Sequence, residues 1–151
     1  PEHRIWEQLQ IKTQLNRFEF INRLRLEQRF VHSPVMQADS TYAPGDAVYS
    51  NRFRVLERVS VPFKGKTIED KSFYVSAYDE LFVNFGKNVA MNLFDQNRAY
   101  IALGYKIPKV GRLELGYMNQ IVVKSDDIRI EDNHTLQVAL NATIPFTKTK
   151  K

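Results

Sequence analysis

Arg17-Phe18-Glu19-Phe20-Ile21-Asn22-Arg23-Leu24-Arg25-Leu26-Glu27-Gln28-Arg29-Phe30 alternates apolar and polar side chains along its length. Split by parity, five of its seven even positions are apolar and only one of its seven odd positions is. A period of two marks a strand with one apolar face, because successive side chains of an extended backbone point to opposite sides. The same split holds at 136 to 146, where Leu136, Val138, Leu140, Ala142, Ile144 and Phe146 oppose Thr135, Gln137, Asn141 and Thr143. At 97 to 107, Ala99, Ile101, Leu103, Tyr105 and Ile107 oppose Arg98, Tyr100, Gly104 and Lys106. Seven strands follow, over about 3–15, 17–31, 48–63, 72–85, 95–107, 111–123 and 134–146, with no helical stretch of useful length.

These runs are roughly twice the mean strand length of about 5 to 6 residues in globular proteins. Strands of about 9 to 11 residues or more with one continuous apolar face match a tilted crossing of an outer membrane. The connections alternate as they do in such barrels: tight near Asn16 and Pro108 to Gly111, intermediate at Lys64 to Lys71, and longer at His32 to Ala47, Gly86 to Phe94 and Lys124 to Asn133. Aromatic residues gather where the two interfaces would lie. Phe18, Phe63, Phe73, Tyr105 and Phe146 mark the tight-turn ends, and Phe30, Tyr49 and Phe85 the long-loop ends. The expected fold is all-β: an antiparallel up-and-down transmembrane β-barrel, placed in the bacterial outer membrane with the lipid bilayer as its first partner. Single-chain barrels have even strand numbers and begin on the tight-turn side. Strand 1 must instead begin on the long-loop side, so further N-terminal strands are expected. The chain reads as a single barrel domain over 1–151, incomplete at that side.

Composition narrows the function. The longest uninterrupted apolar run in the 151 residues is five, Ala99 to Leu103, against roughly 20 for a membrane helix. With no cysteine, disulfide frameworks, zinc ribbons and thiol nucleophiles drop out. Pro1 in place of Met and the lack of a leader-like segment suggest a processed or cut chain. The net charge of +5 raises nucleic-acid binding as a competitor, but the aromatics share a face with aliphatics instead of standing among the basic residues. No nucleic acid is expected.

Several stretches, in this order, resemble one family. They are His3-Arg4-Ile5-Trp6-Glu7-Gln8, Asn22-Arg23-Leu24-Arg25-Leu26-Glu27-Gln28-Arg29-Phe30, Asn51-Arg52-Phe53-Arg54 and Glu80-Leu81-Phe82-Val83-Asn84. Further on come Phe94-Asp95-Gln96-Asn97-Arg98, Leu103-Gly104-Tyr105, Leu113-Glu114-Leu115-Gly116-Tyr117-Met118-Asn119-Gln120 and Asn133-His134. Together they resemble a domain-of-unknown-function family of Gram-negative outer-membrane barrels. The resemblance implies a porin-like barrel, longer at its N-terminal side, and carries over no activity. Such barrels often end on an aromatic residue, whereas Phe146 is followed by a basic tail over 147–151. Either the last strand stops at Phe146 or the tail is foreign to the natural chain.

The polar face is unusually charged for a strand face. It carries Arg23, Arg25, Glu27 and Arg29, then Arg52, Arg54 and Arg58, then Glu80, Arg98 and Glu114. Facing into a barrel, these residues form an expected ladder, since guanidinium forks pair with carboxylates on neighbouring strands. Two readings stand: a polar plug that holds the barrel shut, and an anion path, because seven Arg meet three Glu. The plug is preferred, since missing strands can supply balancing carboxylates.

Catalysis is not expected. Of the three histidines, His3, His32 and His134, His32 adjoins Ser33, but neighbours on a strand face opposite ways, and His134 lies beside Asp132 and Thr135 with no Ser two residues away. The six glycines are too scattered for a phosphate loop. Asp39, Asp46, Asp126, Asp127, Glu131 and Asp132 read as solvated loop acids without a calcium register, so no metal or cofactor is expected.

One defect breaks the apolar face. Centring the 63–73 connection near Ile68 pairs Phe63 with Phe73 and therefore Glu57 with Asp79, and pairing Phe30 with Tyr49 brings Asn22 beside Glu57. A bulge or register error would remove the clash. Otherwise the band is a lateral interface with another outer-membrane protein, or an acid pair sharing a proton; the interface is the preferred functional reading. The function expected overall is a structural, pore or accessory-subunit role with a charged lumen. The alternative is a soluble calycin-like barrel binding an apolar ligand, which shows the same alternation with inside and outside exchanged.

Overall fold

A computed structural model describes residues 1–38, 40–89, 93–124 and 129–142. Seven strands run in chain order: β1 Glu2–Leu15, β2 Phe18–Met36, β3 Tyr42–Pro62, β4 Phe73–Phe85, β5 Phe94–Ile107, β6 Gly111–Val123 and β7 Ile130–Ala142. They form one sheet in the order β1-β2-β3-β4-β5-β6-β7, with every neighbouring pair antiparallel. Among the described residues β1 and β7 are not paired, so the sheet is open. Asn16 (φ 54°) turns the β1–β2 hairpin and Lys109 (φ 61°) the β5–β6 hairpin, and asparagine is one of the few side chains that tolerates the left-handed region.

Apart from the register shifts at His32/Pro34 and Phe82/Val83, the parity of the sequence survives as two faces, and the registers drawn from it hold. Phe30 pairs with Tyr49, Asn22 with Glu57, and Glu57 with Asp79. The Phe63 amide donates to the Phe73 carbonyl at 3.1 Å. Strand limits differ in two places. The long connection expected at His32 to Ala47 is mostly strand, because β2 and β3 continue to Met36 and Tyr42 with a register shift between His32 and Pro34. Pro34 lies opposite Pro44 there, and neither has an amide hydrogen to give the ladder. Strand β7 starts at Ile130, so Glu131 and Asp132, like Asp46 in β3, stand on strands and not in loops. Asp39, Asp126, Asp127, Ile144, Phe146 and the 147–151 tail lie outside the described residues.

The sheet is strongly curled, and side-chain reach shows which way. Arg112 on β6 holds Glu19 on β2 through two hydrogen bonds of 2.5 and 2.9 Å. In a flat sheet four steps of about 4.8 Å would hold those strands roughly 19 Å apart, beyond the reach of the two side chains. Curling brings them together on the concave side, and Arg58 on β3 meets Glu114 on β6 in the same way. Glu27 and Glu114 are each 1% exposed on this concave face, whereas Leu103 and Leu115 on the convex face are 48% and 54% exposed. The polar face is the inside of the curve and the apolar face the outside.

Candidate functional site

The concave face is built around four buried glutamates, Glu19, Glu27, Glu80 and Glu114, each paired with cations from other strands, some of them two to four strands away. Glu80 on β4 accepts from Arg23 at 2.8 Å and from both Nε and Nη2 of Arg54, at 3.1 and 2.8 Å. Glu27 on β2 accepts from the second fork nitrogen of Arg54 at 2.7 Å, and Arg25 stands 3.8 Å away. Arg54 therefore bridges two carboxylates, a task suited to a planar guanidinium with five donors. Glu19 is shared by Arg112 and by Lys12 at 2.8 Å.

Glu114 on β6 takes Arg58, the Tyr74 hydroxyl at 2.7 Å and the Tyr100 hydroxyl at 3.4 Å. Two glycines make this possible. A Cβ at Gly104 would collide with the Tyr74 ring, and one at Gly116 would stand 2.6 Å from Tyr100. Both rings lie flat over a neighbouring strand because those strands lack a side chain there.

The remaining ladder residues take other partners. Arg25 donates to Gln8 at 2.6 and 3.0 Å and stacks over Trp6, 4.7 Å from its ring centre. Arg29 pairs with Glu2 at 2.6 Å, and Arg52 with Asp95 at 3.2 Å. Arg98 has no ion pair among the described residues; its guanidinium lies 5.0 Å from the centre of the Phe82 ring.

All ten ladder residues thus share the concave face, and the structure adds six that the sequence reading left out. In these networks Arg4, Lys12 and Arg112 join the seven arginines, and Glu2, Glu19 and Asp95 join the three glutamates. Parity could have placed Glu19 and Arg112 inside. It could not have placed Asp95, which turns inward because a register shift pairs Phe82 with Gln96 and Val83 with Phe94, leaving Asp95 as the extra residue.

The convex face carries the second candidate. Glu57 and Asp79 stand side by side with no irregularity in the β3–β4 register at that point, so the bulge explanation fails for these strands. The Asn22 amide, its nitrogen turned toward Glu57, donates to that carboxylate. Asn97 donates to both oxygens of Asp79 at 2.9 and 3.0 Å. Following the register from Glu57 and Asp79 leads to Ala99, Asn119 and His134, a row across the outside that is polar except at Ala99. Ala77 and Ala99 leave a shallow groove of about 450 Å³ beside the two acids.

A family model described as a protein of unknown function (DUF2490) matches residues 1–131. No curated protein matches the chain, and no solved structure does.

Proposed function

The chain belongs to the family of unknown function DUF2490, whose description carries no chemistry, and from its geometry we propose an outer-membrane β-barrel protein with a pore-lining or accessory-subunit role and no catalytic one. The observation that carries this reading is the inverted distribution of side chains: buried charges on the concave face and aliphatics on the convex face. A soluble barrel for an apolar ligand needs the opposite arrangement.

Strand dimensions support the same conclusion. The shortest strands have 13 residues, about 43 Å of chain, and at a tilt of 35–45° they rise roughly 30–35 Å, enough to cross an apolar band of about 25 Å. Ring pairs stand toward the two rims, with Phe73 and Tyr105 4.8 Å apart near the tight turns, and Phe30 and Tyr49 5.2 Å apart on the other side, within the longer strands β2 and β3. An open edge is not tolerated in lipid. Strands β1 and β7 run in the same direction, so antiparallel closure places an odd number of further strands between them.

The row through Asn22, Glu57 and Asp79 is the place for lateral contact with another outer-membrane protein. Carboxylates pointing into lipid gain nothing there, whereas a protein neighbour supplies donors. The test is extraction of the full-length protein from bacterial membranes. It should stay with the membrane in alkaline carbonate, require detergent, and migrate differently on gels when unheated and heated. Release by carbonate without detergent would overturn the reading.

A further inference from the structure

We propose that the concave face holds a binding site for a multivalent oxyanion, a solute carrying several phosphate or carboxylate groups. The inference rests on the barrel reading in one respect, that the complete protein encloses this face.

A cavity of about 450 Å³ lies between the two rims, and five arginines line it: Arg23, Arg54, Arg58, Arg98 and Arg112. Only Glu80 and Glu114 line it as acids, and both are already engaged. Glu80 is held by Arg23 and Arg54, and Glu114 by Arg58 and two tyrosine hydroxyls. Arg112 is neutralised outside the cavity by Glu19.

Arg98 is left over. Among the described residues no carboxylate reaches it, and with the Gln96 amide turned so that its oxygen faces the guanidinium, Arg98 donates to that neutral oxygen. It shares the Phe82 ring with Arg54, whose guanidinium is 4.4 Å from the ring centre, and with Arg52 at 5.8 Å. Arg54 and Arg52 are already paired with carboxylates, whereas among the described residues Arg98 is not, and an oxyanion beside Arg98 supplies the missing counter-charge.

The donor count points the same way. Among the described residues Arg23 and Arg58 each keep a buried Nε–H without an acceptor. A self-contained plug would satisfy its donors, because an unmade buried hydrogen bond is costly. Oxygens of phosphate or carboxylate are the acceptors that match a guanidinium fork.

Calorimetric titration of the full-length protein in detergent micelles with inorganic pyrophosphate tests this. Saturable binding is expected, weakened at least about tenfold in Arg98→Gln by loss of a charge-assisted contact and unchanged in Lys64→Gln, a substitution in the exposed turn after β3. Heat-dependent gel mobility is read on the same samples. A protein with barrel-like mobility that shows no saturable binding, or that binds equally well as Arg98→Gln, overturns the anion site and leaves the barrel reading standing. A protein without that mobility counts against the barrel itself. If Arg98→Gln does not fold, Arg98→Lys decides: with its charge kept it should bind more weakly than the wild type, and equal binding overturns the site.

Discussion

Glu114 shows how much a single residue carries on the concave face. Its carboxylate receives a guanidinium and two phenol hydroxyls while being almost completely buried. Neutralising it leaves Arg58 without a counter-charge, and breaking a buried pair costs about 3 kcal/mol or more. Glu114→Gln keeps the size and one acceptor for the tyrosines. It should lower the unfolding free energy of the refolded protein by roughly 2–3 kcal/mol in urea titrations in lipid vesicles, since Arg58 retains some access to water. A loss below about 0.5 kcal/mol, the size of an ordinary surface change, would show the pair to be dispensable. Parity alone put Glu114 inside, but its partners were invisible in the sequence. Arg58 lies three strands away, and the tyrosines reach it only because Gly104 and Gly116 open the way.

Among the elements, β2, β3 and β4 are the informative group, since their registers bring Asn22, Glu57 and Asp79 into one line on the outside. Asp79 is the middle residue of the 13-residue β4, six positions from either end, which in the proposed outer-membrane barrel is the depth where an acidic side chain is most costly. If the line exists for a protein neighbour, it is a burden to the barrel on its own. Glu57→Gln with Asp79→Asn should therefore stabilise the isolated protein in lipid vesicles, by about 1–2 kcal/mol on the scale of midplane acids. The same double substitution should reduce co-migration with other proteins on native gels of detergent-solubilised membranes. Destabilisation of the isolated barrel would instead show that Asn22 and Asn97 already satisfy the acids. This line was legible in advance because antiparallel pairing converts two aromatic anchors into a register for every residue between them.

At the scale of the whole molecule, curvature is what turns seven strands into a lined trough, and the Arg112–Glu19 pair bridges β6 and β2 across it. Removing either partner should cost more than removing both, because each single change leaves the remaining charge without its main partner. A double-mutant cycle with Glu19→Gln and Arg112→Gln, read as urea midpoints in vesicles, should return a coupling of roughly 1–3 kcal/mol. Coupling near zero would mean that the curl does not depend on the pair. Lys12 also holds Glu19, so the Arg112 single variant is expected to be the milder of the two.

Side-chain alternation alone determined the strand number, the assignment of nearly every side chain to a face, and the registers that align Glu57 with Asp79. Those are consequences of local backbone geometry, since an extended chain repeats every two residues and a hairpin fixes its own pairing. Only the tertiary structure decided that the charged face is concave, that Asp95 turns inward, and that Arg98 is left without a carboxylate among the described residues. Curvature sums the twist and bulges of all the strands, and it brings together residues such as Glu19 and Arg112, 93 positions apart, that no repeat of two can relate.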